Sequence, residues 1–229
     1  MSSVILGSVN CRGLAEKIKR GVIFSICKER YDITVLTDIH CCLENESYWL
    51  GEWGYIGKFS SYSSRSRGVA VLFKNSLEFK INSEILDTNG NFVILDITIQ
   101  DYRLTLVAIY GPNEDNPDFF QLLQSKICLY QNTSVIVVGD WNVVQNYDKD
   151  TFNYQSENNP RTQIKVHQIM NDLDLVDIWR VQQSSQKRFS WRDPNKKQER
   201  LDYLCISSDH LLWHQRLGSV IGQIIHLYV

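Results

Sequence analysis

The stretch VIVVGDWNVV, residues 135–144, places a carboxylate and a carboxamide two positions apart at the end of an apolar run. Side chains alternate along an extended chain, so Asp140 and Asn142 are predicted to project to the same side. Together they could orient a water molecule and hold a phosphate oxygen. Taken alone, the stretch is explained at least as well by a strand end followed by an Asx turn.

Polar side chains recur at the ends of four other predicted strands, at Asn10, Asp38, Tyr110 and Asp202. Each is an ordinary strand-to-loop residue when taken singly, but five such ends in one domain suggest that polar groups gather at one edge of the sheets. Two carboxylates and an asparagine amide at such an edge form a hard oxygen site, which suits Mg²⁺ or Mn²⁺ rather than zinc. A metal there would polarise a phosphate oxygen, while Asp140 would orient or deprotonate the attacking water.

Short apolar runs rich in β-branched residues predict the strands that position these side chains. The predicted strands are 4–10, 33–38, 68–74, 92–100, 103–111, 135–142, 188–191 and 201–207. The very short polar link between 92–100 and 103–111 predicts an antiparallel hairpin. Helices are predicted over 118–131 and 162–173, and where Leu14, Ile18, Val22 and Ile26 form an apolar stripe.

The mixture of strands, helices and a tight hairpin argues against a purely parallel, doubly wound sheet. It predicts an α/β fold with two mixed β-sheets packed face to face and helices on the outside, which is a four-layer α/β sandwich. The sequence contains no repeat, linker or low-complexity tract. Residues 1–229 are therefore predicted to form a single domain.

The composition is that of a soluble globular protein, with a net charge of −2. This charge neither indicates nor excludes nucleic-acid binding, because a local basic patch can hold phosphates. The six cysteines include no Cys-x-x-Cys pair, and no histidines have zinc spacing, so reduced thiols in an intracellular protein are expected. The start lacks the pattern of a signal peptide and no run has the length of a membrane span, so secretion and membrane insertion are not expected.

Eight short motifs occur in an order that resembles one known superfamily. They are SVNCRG, LTDIH, RGVAVLF, IYGPN, VVGDWN, LVDIWR, FSW and RLDYLCIS. Their joint order resembles the endonuclease/exonuclease/phosphatase superfamily, which has the DNase-I-like fold, although each motif alone is weak. LVDIWR and FSW with RLDYLCIS are similar to the apurinic-type endonuclease domain of LINE-type (non-LTR) retrotransposons. The similarity covers essentially the whole chain.

The resemblance implies a metal site that includes Asn10 and Asp38. The family usually has Glu at the second position, in a Gln-Glu-Thr-His-like motif that here reads Thr-Asp-Ile-His. The shorter side chain of Asp38 is expected to affect metal affinity, because Mg²⁺ tolerates little geometric error.

The resemblance also implies four catalytic roles. Tyr110 would orient the phosphate, Asp140 would position the water and Asn142 would contact the phosphate or the transition state. Asp202 matches the aspartate that supports the family's catalytic histidine.

The family finishes on a catalytic Ser-Asp-His, and this chain contains Ser208-Asp209-His210. In an extended strand, seven residues from Asp202 to Asp209 span about 23 Å at ~3.3 Å per residue, so this triplet is expected to be a chance match. The true triplet is expected after a further strand, 219–229, in which His226 is expected to pack among apolar neighbours. The domain is thus expected to be cut just before the family's terminal catalytic Ser-Asp-His, and cleavage by this chain is expected to be weak or absent.

Residues 187–200, KRFSWRDPNKKQER, predict a basic β-hairpin with its turn at Asp193-Pro194-Asn195. The resemblance places this hairpin in a DNA groove, whereas a solvated charged loop is the simpler alternative. The residues predicted to contact DNA here are Ser190, Arg192, Lys196, Lys197 and Arg200. Arg65 and Arg67 are predicted to do so from a second loop, and Arg161 from a third that Lys149 also flanks.

The sequence therefore predicts a Mg²⁺-dependent endonuclease domain of a non-LTR retrotransposon polyprotein. It would nick double-stranded target DNA and leave a 3′-hydroxyl that primes target-primed reverse transcription. Its expected partners are DNA and the remainder of the reverse-transcriptase polyprotein, and it would act in the nucleus as a monomeric domain after cytoplasmic synthesis. One alternative is an abasic-site repair endonuclease or another phosphodiesterase of the same fold, and a second is a catalytically silent DNA- or protein-binding module.

Overall fold

A computed structural model describes residues 4–130, 134–154, 156–194 and 196–208, and the backbone of 221–224. The strands in these ranges are β1 (Ile5–Asn10), β2 (Ile33–Thr37), β3 (Gly57–Ser60), β4 (Val69–Phe73), β5 (Phe79–Leu86), β6 (Phe92–Ile99), β7 (Tyr102–Tyr110), β8 (Ser134–Asp140), β9 (Thr151–Phe152), β10 (Leu175–Asp177), β11 (Trp191–Arg192), β12 (Gln198–Glu199), β13 (Asp202–Ser207) and β14 (Ile221–Ile224). The helices are α1 (Lys17–Arg30), α2 (Glu46–Trp53), α3 (Pro117–Ile127), α4 (Tyr147–Asp150), α5 (Pro160–Asp172) and α6 (Ile178–Gln182).

The long strands form two sheets that each contain parallel and antiparallel pairs. The first has the order β14-β1-β2-β4-β3 and the second the order β10-β13-β8-β7-β6-β5. Strand β1 runs parallel to both β14 and β2, and β7 runs parallel to β8, while the neighbouring pairs are antiparallel. The predicted hairpin is confirmed, because β6 pairs with β7 antiparallel from Phe92↔Ile109 to Ile99↔Tyr102.

The core lies in three apolar layers. One lies between the sheets, where side chains such as Val35 and Val71 of the first sheet meet Leu95 and Leu106 of the second. The opposite face of the first sheet packs against α1 and α2, and that of the second against α3 and α5. Each fully buried aliphatic side chain contributes about 1.5–3 kcal/mol to folding. The predicted four-layer α/β sandwich is confirmed.

The predicted apolar stripe of α1 is wrong. Ile18 is 75% exposed and Val22 is 53% exposed, whereas the buried residues of α1 are Arg20, Ile23, Phe24 and Cys27. Steps of four residues drift by about 40° each around a helix, so they leave the buried face after two or three steps. Spacings that alternate between three and four residues, as in the buried set, keep to one face.

The basic segment does fold as a hairpin, with β11 and β12 antiparallel. It extends into a three-stranded sheet because β12 also pairs with β9, which the sequence did not predict. Within the predicted last strand, the described backbone forms β14. Asp209, His210 and His226 lie outside the described residues. In the part of the chain that the structure describes, no helix is long and apolar enough to cross a membrane.

Candidate active site

Strands from both sheets end at one common edge and bring the predicted polar residues together there. Asn10 ends β1 in the first sheet, and Asp140 ends β8 in the second. Asp140 has two register partners in its own sheet, Tyr110 at the end of β7 and Asp202 at the start of β13. The edge therefore collects side chains from distant parts of the chain.

Asp140 is held at both carboxylate oxygens. The Asn10 Nδ2 donates a hydrogen bond to Oδ2 over 2.6 Å, and the Asn142 backbone N–H donates to Oδ1 over 2.9 Å. The first bond joins residues 130 positions apart and connects the two sheets. Asp140 is 4% exposed, so this carboxylate has a fixed orientation beneath the surface.

Asn142 follows in a tight loop that requires a glycine beside it. Its backbone has φ +52°, and its Nδ2 donates to the Gly111 carbonyl over 2.8 Å. The Gly111 N–H in turn donates to the Asp140 carbonyl over 2.8 Å. A β-carbon on Gly111 would lie only 2.1 Å from the Trp141 carbonyl oxygen, so this close approach admits no side chain. Trp141 itself points away from the site, into the layer under α3 and α5.

Asp202 is buried opposite Asp140 and depends on Ser190 for its position. The Ser190 Oγ accepts hydrogen bonds from the Leu201 and Asp202 backbone N–H groups, over 2.8 Å and 3.2 Å. Burial raises the pKa of Asp202 to about 6, although Ser190 and the guanidinium of Arg12 oppose the rise. Burial and the neighbouring Asp202 also raise the pKa of Asp140 well above its usual range. Ser190 was predicted to contact DNA, but it is buried and supports the site instead.

Tyr110 and Asp38 complete the site. Burial raises the pKa of Tyr110, and the carboxylates of Asp38 and Asp140 raise it further. The phenol therefore stays protonated and can donate a hydrogen bond. Asp38 has φ +51°, which aspartate tolerates better than most residues, and its Oδ1 lies 2.9 Å from His40 Nε2.

The oxygen atoms present fit a magnesium ion that is held by few protein ligands. Among the described residues, no three His, Cys, Asp or Glu side chains converge as a metal cluster. Magnesium usually takes one or two carboxylates and fills its other positions with water and substrate phosphate. Asp38 and the amide oxygen of Asn10 could supply such a site, and the carboxylates that raise the pKa of Asp140 provide negative charge for a cation to balance.

Most of the residues predicted to contact DNA are accessible. Arg192, Lys196 and Lys197 are exposed on the hairpin, and Lys197 Nζ lies 5.1 Å from the centroid of the Tyr154 ring. In the second loop, Arg65 is exposed, and Arg67 is half-buried and stacks over the Tyr62 ring. Arg161 lies in the first turn of α5 and not in a loop, and it is exposed but paired with Asp115.

Arg200 does not lie where it was predicted to lie. It is 3% exposed, its Nε donates to Asp150 Oδ1 over 2.8 Å and its Nη2 donates to Asp177 Oδ2 over 2.5 Å. It is therefore a buried ion-pair residue, and the prediction that it contacts DNA is corrected. The sequence grouped Arg200 with the basic hairpin because its acidic partners, Asp150 and Asp177, are 50 and 23 positions away along the chain.

Two supporting residues were not predicted from the sequence. Arg12 acts on Asp202 through space, and His40 contacts Asp38. Both stand two positions after a predicted metal ligand, in SVNCRG and LTDIH. That proximity is the only signal in the sequence that could have indicated them.

Comparisons with known proteins identify the family and the fold of the chain. The model of the Endonuclease/Exonuclease/phosphatase family matches residues 7–222. The fold resembles a 3′-5′ exonuclease from Neisseria meningitidis, with a TM-score of 0.69, 16% identity and coverage of 88% of this chain and 86% of that chain. The fold also resembles an AP endonuclease from Archaeoglobus fulgidus, with a TM-score of 0.69, 15% identity and coverage of 88% of this chain and 86% of that chain. An AP endonuclease from Leishmania major has a TM-score of 0.67 and 18% identity, with coverage of 88% of this chain and 78% of that chain. Another structure of the Neisseria protein, described as a 3′ phosphatase, is bound to a product DNA hairpin. At these identities the structural similarity shows a shared DNase-I-like fold.

Proposed function

Because the chain belongs to the endonuclease/exonuclease/phosphatase family, we propose that it is a metal-dependent DNA endonuclease. The family and the nucleases among the structural neighbours support its assignment as a phosphodiester hydrolase. More narrowly, it would be the endonuclease domain of a non-LTR retrotransposon polyprotein, which nicks target DNA in the nucleus and leaves a 3′-hydroxyl primer for reverse transcription. The motifs LVDIWR and FSW with RLDYLCIS support this narrower assignment.

The hydrogen bond between Asn10 and Asp140 is the observation on which the proposal depends. It brings the ends of β1 and β8 together, so that an amide and a carboxylate from different sheets face one space. Asp38 and Tyr110 border the same space, because the Asp38 and Asp140 carboxylates both act on the Tyr110 phenol. Hydrolysis of a phosphodiester needs this combination of a base, hydrogen-bond donors and hard oxygen ligands.

In this mechanism Asp140 orients the attacking water and accepts its proton. Its two oxygens are already fixed by Asn10 and by the Asn142 N–H, so it needs little rearrangement. The raised pKa of Asp140, which comes from burial and from Asp202, makes the carboxylate a stronger base.

Tyr110 and Asn142 stabilise the charge that develops on the phosphate. The protonated Tyr110 donates to a phosphoryl oxygen, and Asn142 contacts the same group from its loop, which Gly111 anchors. Asp38 and Asn10 would hold a divalent cation, Mg²⁺ or Mn²⁺. The cation would offset the negative charge of the phosphate and the leaving group.

A supercoiled-plasmid nicking assay tests the proposal. Open-circular DNA should accumulate slowly with Mg²⁺, since only weak cleavage is expected of this chain, and not with EDTA, and Asp140→Ala should slow nicking further by about 100-fold or more. Asp148→Ala, which removes an exposed carboxylate from α4, is the matched control and should nick like the parent chain. DNA binding without metal-dependent nicking would indicate a silent binding module instead.

A second candidate is an abasic-site endonuclease, because two of the structural neighbours are AP endonucleases. It predicts faster cleavage of a duplex that carries one abasic site than of the same duplex without it. Equal rates on both duplexes would favour the retrotransposon endonuclease.

A further inference from the structure

A polar cavity of about 300 Å³ lies behind the loop that follows Asn142, at the base of the basic hairpin. Its walls come from that loop, from α4, α5 and α6 and from the residue that precedes β13. The lining residues are Gln145, Asn146, Lys149, Asp150, His167, Arg180, Ser184 and Arg200. Nothing in the proposed mechanism uses this cavity.

The walls carry more positive than negative charge. Lys149, Arg180 and Arg200 face a single carboxylate of the lining, that of Asp150. This carboxylate is already engaged, because Arg200 donates to both of its oxygens and Arg180 donates to Oδ1. Asp177 outside the lining pairs with Arg200 as well, which still leaves the cluster with a net positive charge.

Two guanidinium N–H groups in the walls are buried without a hydrogen-bond acceptor. Within the described part of the chain, neither Arg200 Nη1 nor Arg180 Nε has a partner. A buried donor that is left unpaired destabilises a protein, and because both atoms have almost no accessible surface, a small movement of either side chain is needed before an acceptor in the cavity can pair with them. The other nitrogens of both guanidinium groups are already paired, so each arginine offers one remaining nitrogen, and a charge-assisted hydrogen bond from it to a phosphate oxygen is stronger than a neutral one.

We propose that this cavity is a phosphate-binding site, separate from the active site, in which Arg180, Arg200 and Lys149 bind the oxyanion. The phosphate could belong to the DNA backbone or to a small phosphate compound, since both present the same oxygens. The site lies under the hairpin, because Arg200 closes the hairpin segment and Arg180 Nη1 donates to the Gln186 carbonyl over 2.8 Å. Occupation of the site would therefore hold the hairpin base in place. The inference does not depend on DNA cleavage.

Isothermal titration with inorganic phosphate, against chloride at equal ionic strength and without divalent metal, tests the site directly. The parent chain should bind phosphate, and Lys149→Gln at the exposed border of the cavity should weaken binding about fivefold. Lys17→Gln, which removes an exposed lysine from α1 on the other outer layer, is the matched control and should bind like the parent chain. Lys149→Gln leaves the buried ion pairs intact, so its fold should be preserved.

Weaker phosphate binding by Lys149→Gln together with unchanged binding by Lys17→Gln supports the cavity. No binding by the parent chain, or binding that Lys149→Gln leaves unchanged, overturns the proposal.

Duplex DNA distinguishes the two sources of phosphate. If the DNA backbone occupies the cavity, Lys149→Gln should also reduce the salt dependence of DNA binding, with a slope lower by about 0.9. If a small phosphate compound is the ligand, Lys149→Gln should weaken only phosphate binding, and DNA binding should match that of Lys17→Gln. An equal loss of affinity for phosphate in Lys149→Gln and Lys17→Gln would mean non-specific attraction and would contradict a built site.

Discussion

At the scale of single residues, the buried pair of Asp140 and Asp202 links the site to stability. The folded state raises the pKa of Asp202 to about 6, above the value of about 3.9 expected in an unfolded chain. The folded state therefore binds more protons between these values, and the free energy of unfolding should fall as pH rises from about 4 to about 6. Asp202→Asn should remove up to about 3 kcal/mol of this decline. Urea unfolding in EDTA between pH 4 and pH 7.5 measures it.

Asp101→Asn, in the exposed turn between β6 and β7, is the control for this experiment and should leave the pH profile unchanged. A profile for Asp202→Asn that is identical to that of the parent chain would show that burial does not disfavour the Asp202 carboxylate.

Asp38 gives a second prediction at this scale, for metal affinity. Asp38→Asn keeps the shape and the tolerance for positive φ but removes the negative charge. The Mg²⁺ concentration for half-maximal nicking should rise about tenfold or more, because hard cations prefer carboxylates. A magnesium titration of plasmid nicking measures this, and an unchanged midpoint would exclude Asp38 as a ligand.

The residues at the centre of the site could be predicted because each ends or begins a recognisable strand. Asn10, Tyr110 and Asp140 stand at strand ends, and their convergence follows from the shared edge. Ser190 and Arg200 could not be placed in this way, because burial depends on partners that only the folded chain brings near.

At the scale of elements, the hairpin gives a prediction for DNA binding. Replacing the two exposed lysines, in Lys196→Gln/Lys197→Gln, should weaken binding and lower the slope of log K against log salt by up to about 1.8. Binding titrations from 50 mM to 200 mM salt measure the slope. The double variant Lys17→Gln/Lys80→Gln removes the same charge elsewhere, and an equal loss in both variants would contradict a specific role for the hairpin.

The close approach of Gly111, which follows β7, to Trp141, which follows β8, gives a prediction for stability. Gly111→Ala places a β-carbon 2.1 Å from the Trp141 carbonyl oxygen, so it should destabilise the fold by about 3 kcal/mol and displace Asn142. Gly51→Ala, in α2 where a β-carbon would meet no atom within 4 Å, should instead stabilise by about 0.5–1 kcal/mol. Denaturant unfolding compares the two, and equal effects would contradict the close approach.

Strands β6 and β8 were predictable because their apolar runs are almost entirely buried, whereas the long strand β5 was not predicted, since none of its side chains is buried. The two-residue strand β9 was not predicted either, since its pairing with β12 depends on a contact between distant segments. The exposed face of α1 was also mispredicted, because apolar residues occur on both its faces.

At the scale of the whole molecule, Asp150 connects three separate segments through buried charges. It pairs with Arg180 of α6 and with Arg200 before β13. Asp150→Asn should cost about 3–5 kcal/mol, because it removes the counter-charge of Arg180 and leaves Arg200 with Asp177 alone. Glu84→Gln, which breaks the more exposed pair with Lys58, should cost less than about 1 kcal/mol. Similar losses in urea unfolding would contradict this difference.

The pairing of β1 with β14 has a consequence for how the protein is made. Strand β1 begins at residue 5, yet its parallel neighbour β14 begins at residue 221. On the ribosome, the chain as far as β14 must emerge before this neighbour can bind, and the nascent chain carries β1 with one side unpaired until then. Such late closure over a long loop is slow, and an open strand side attracts other chains. Chaperones that cover this side during translation should therefore improve the yield of folded protein.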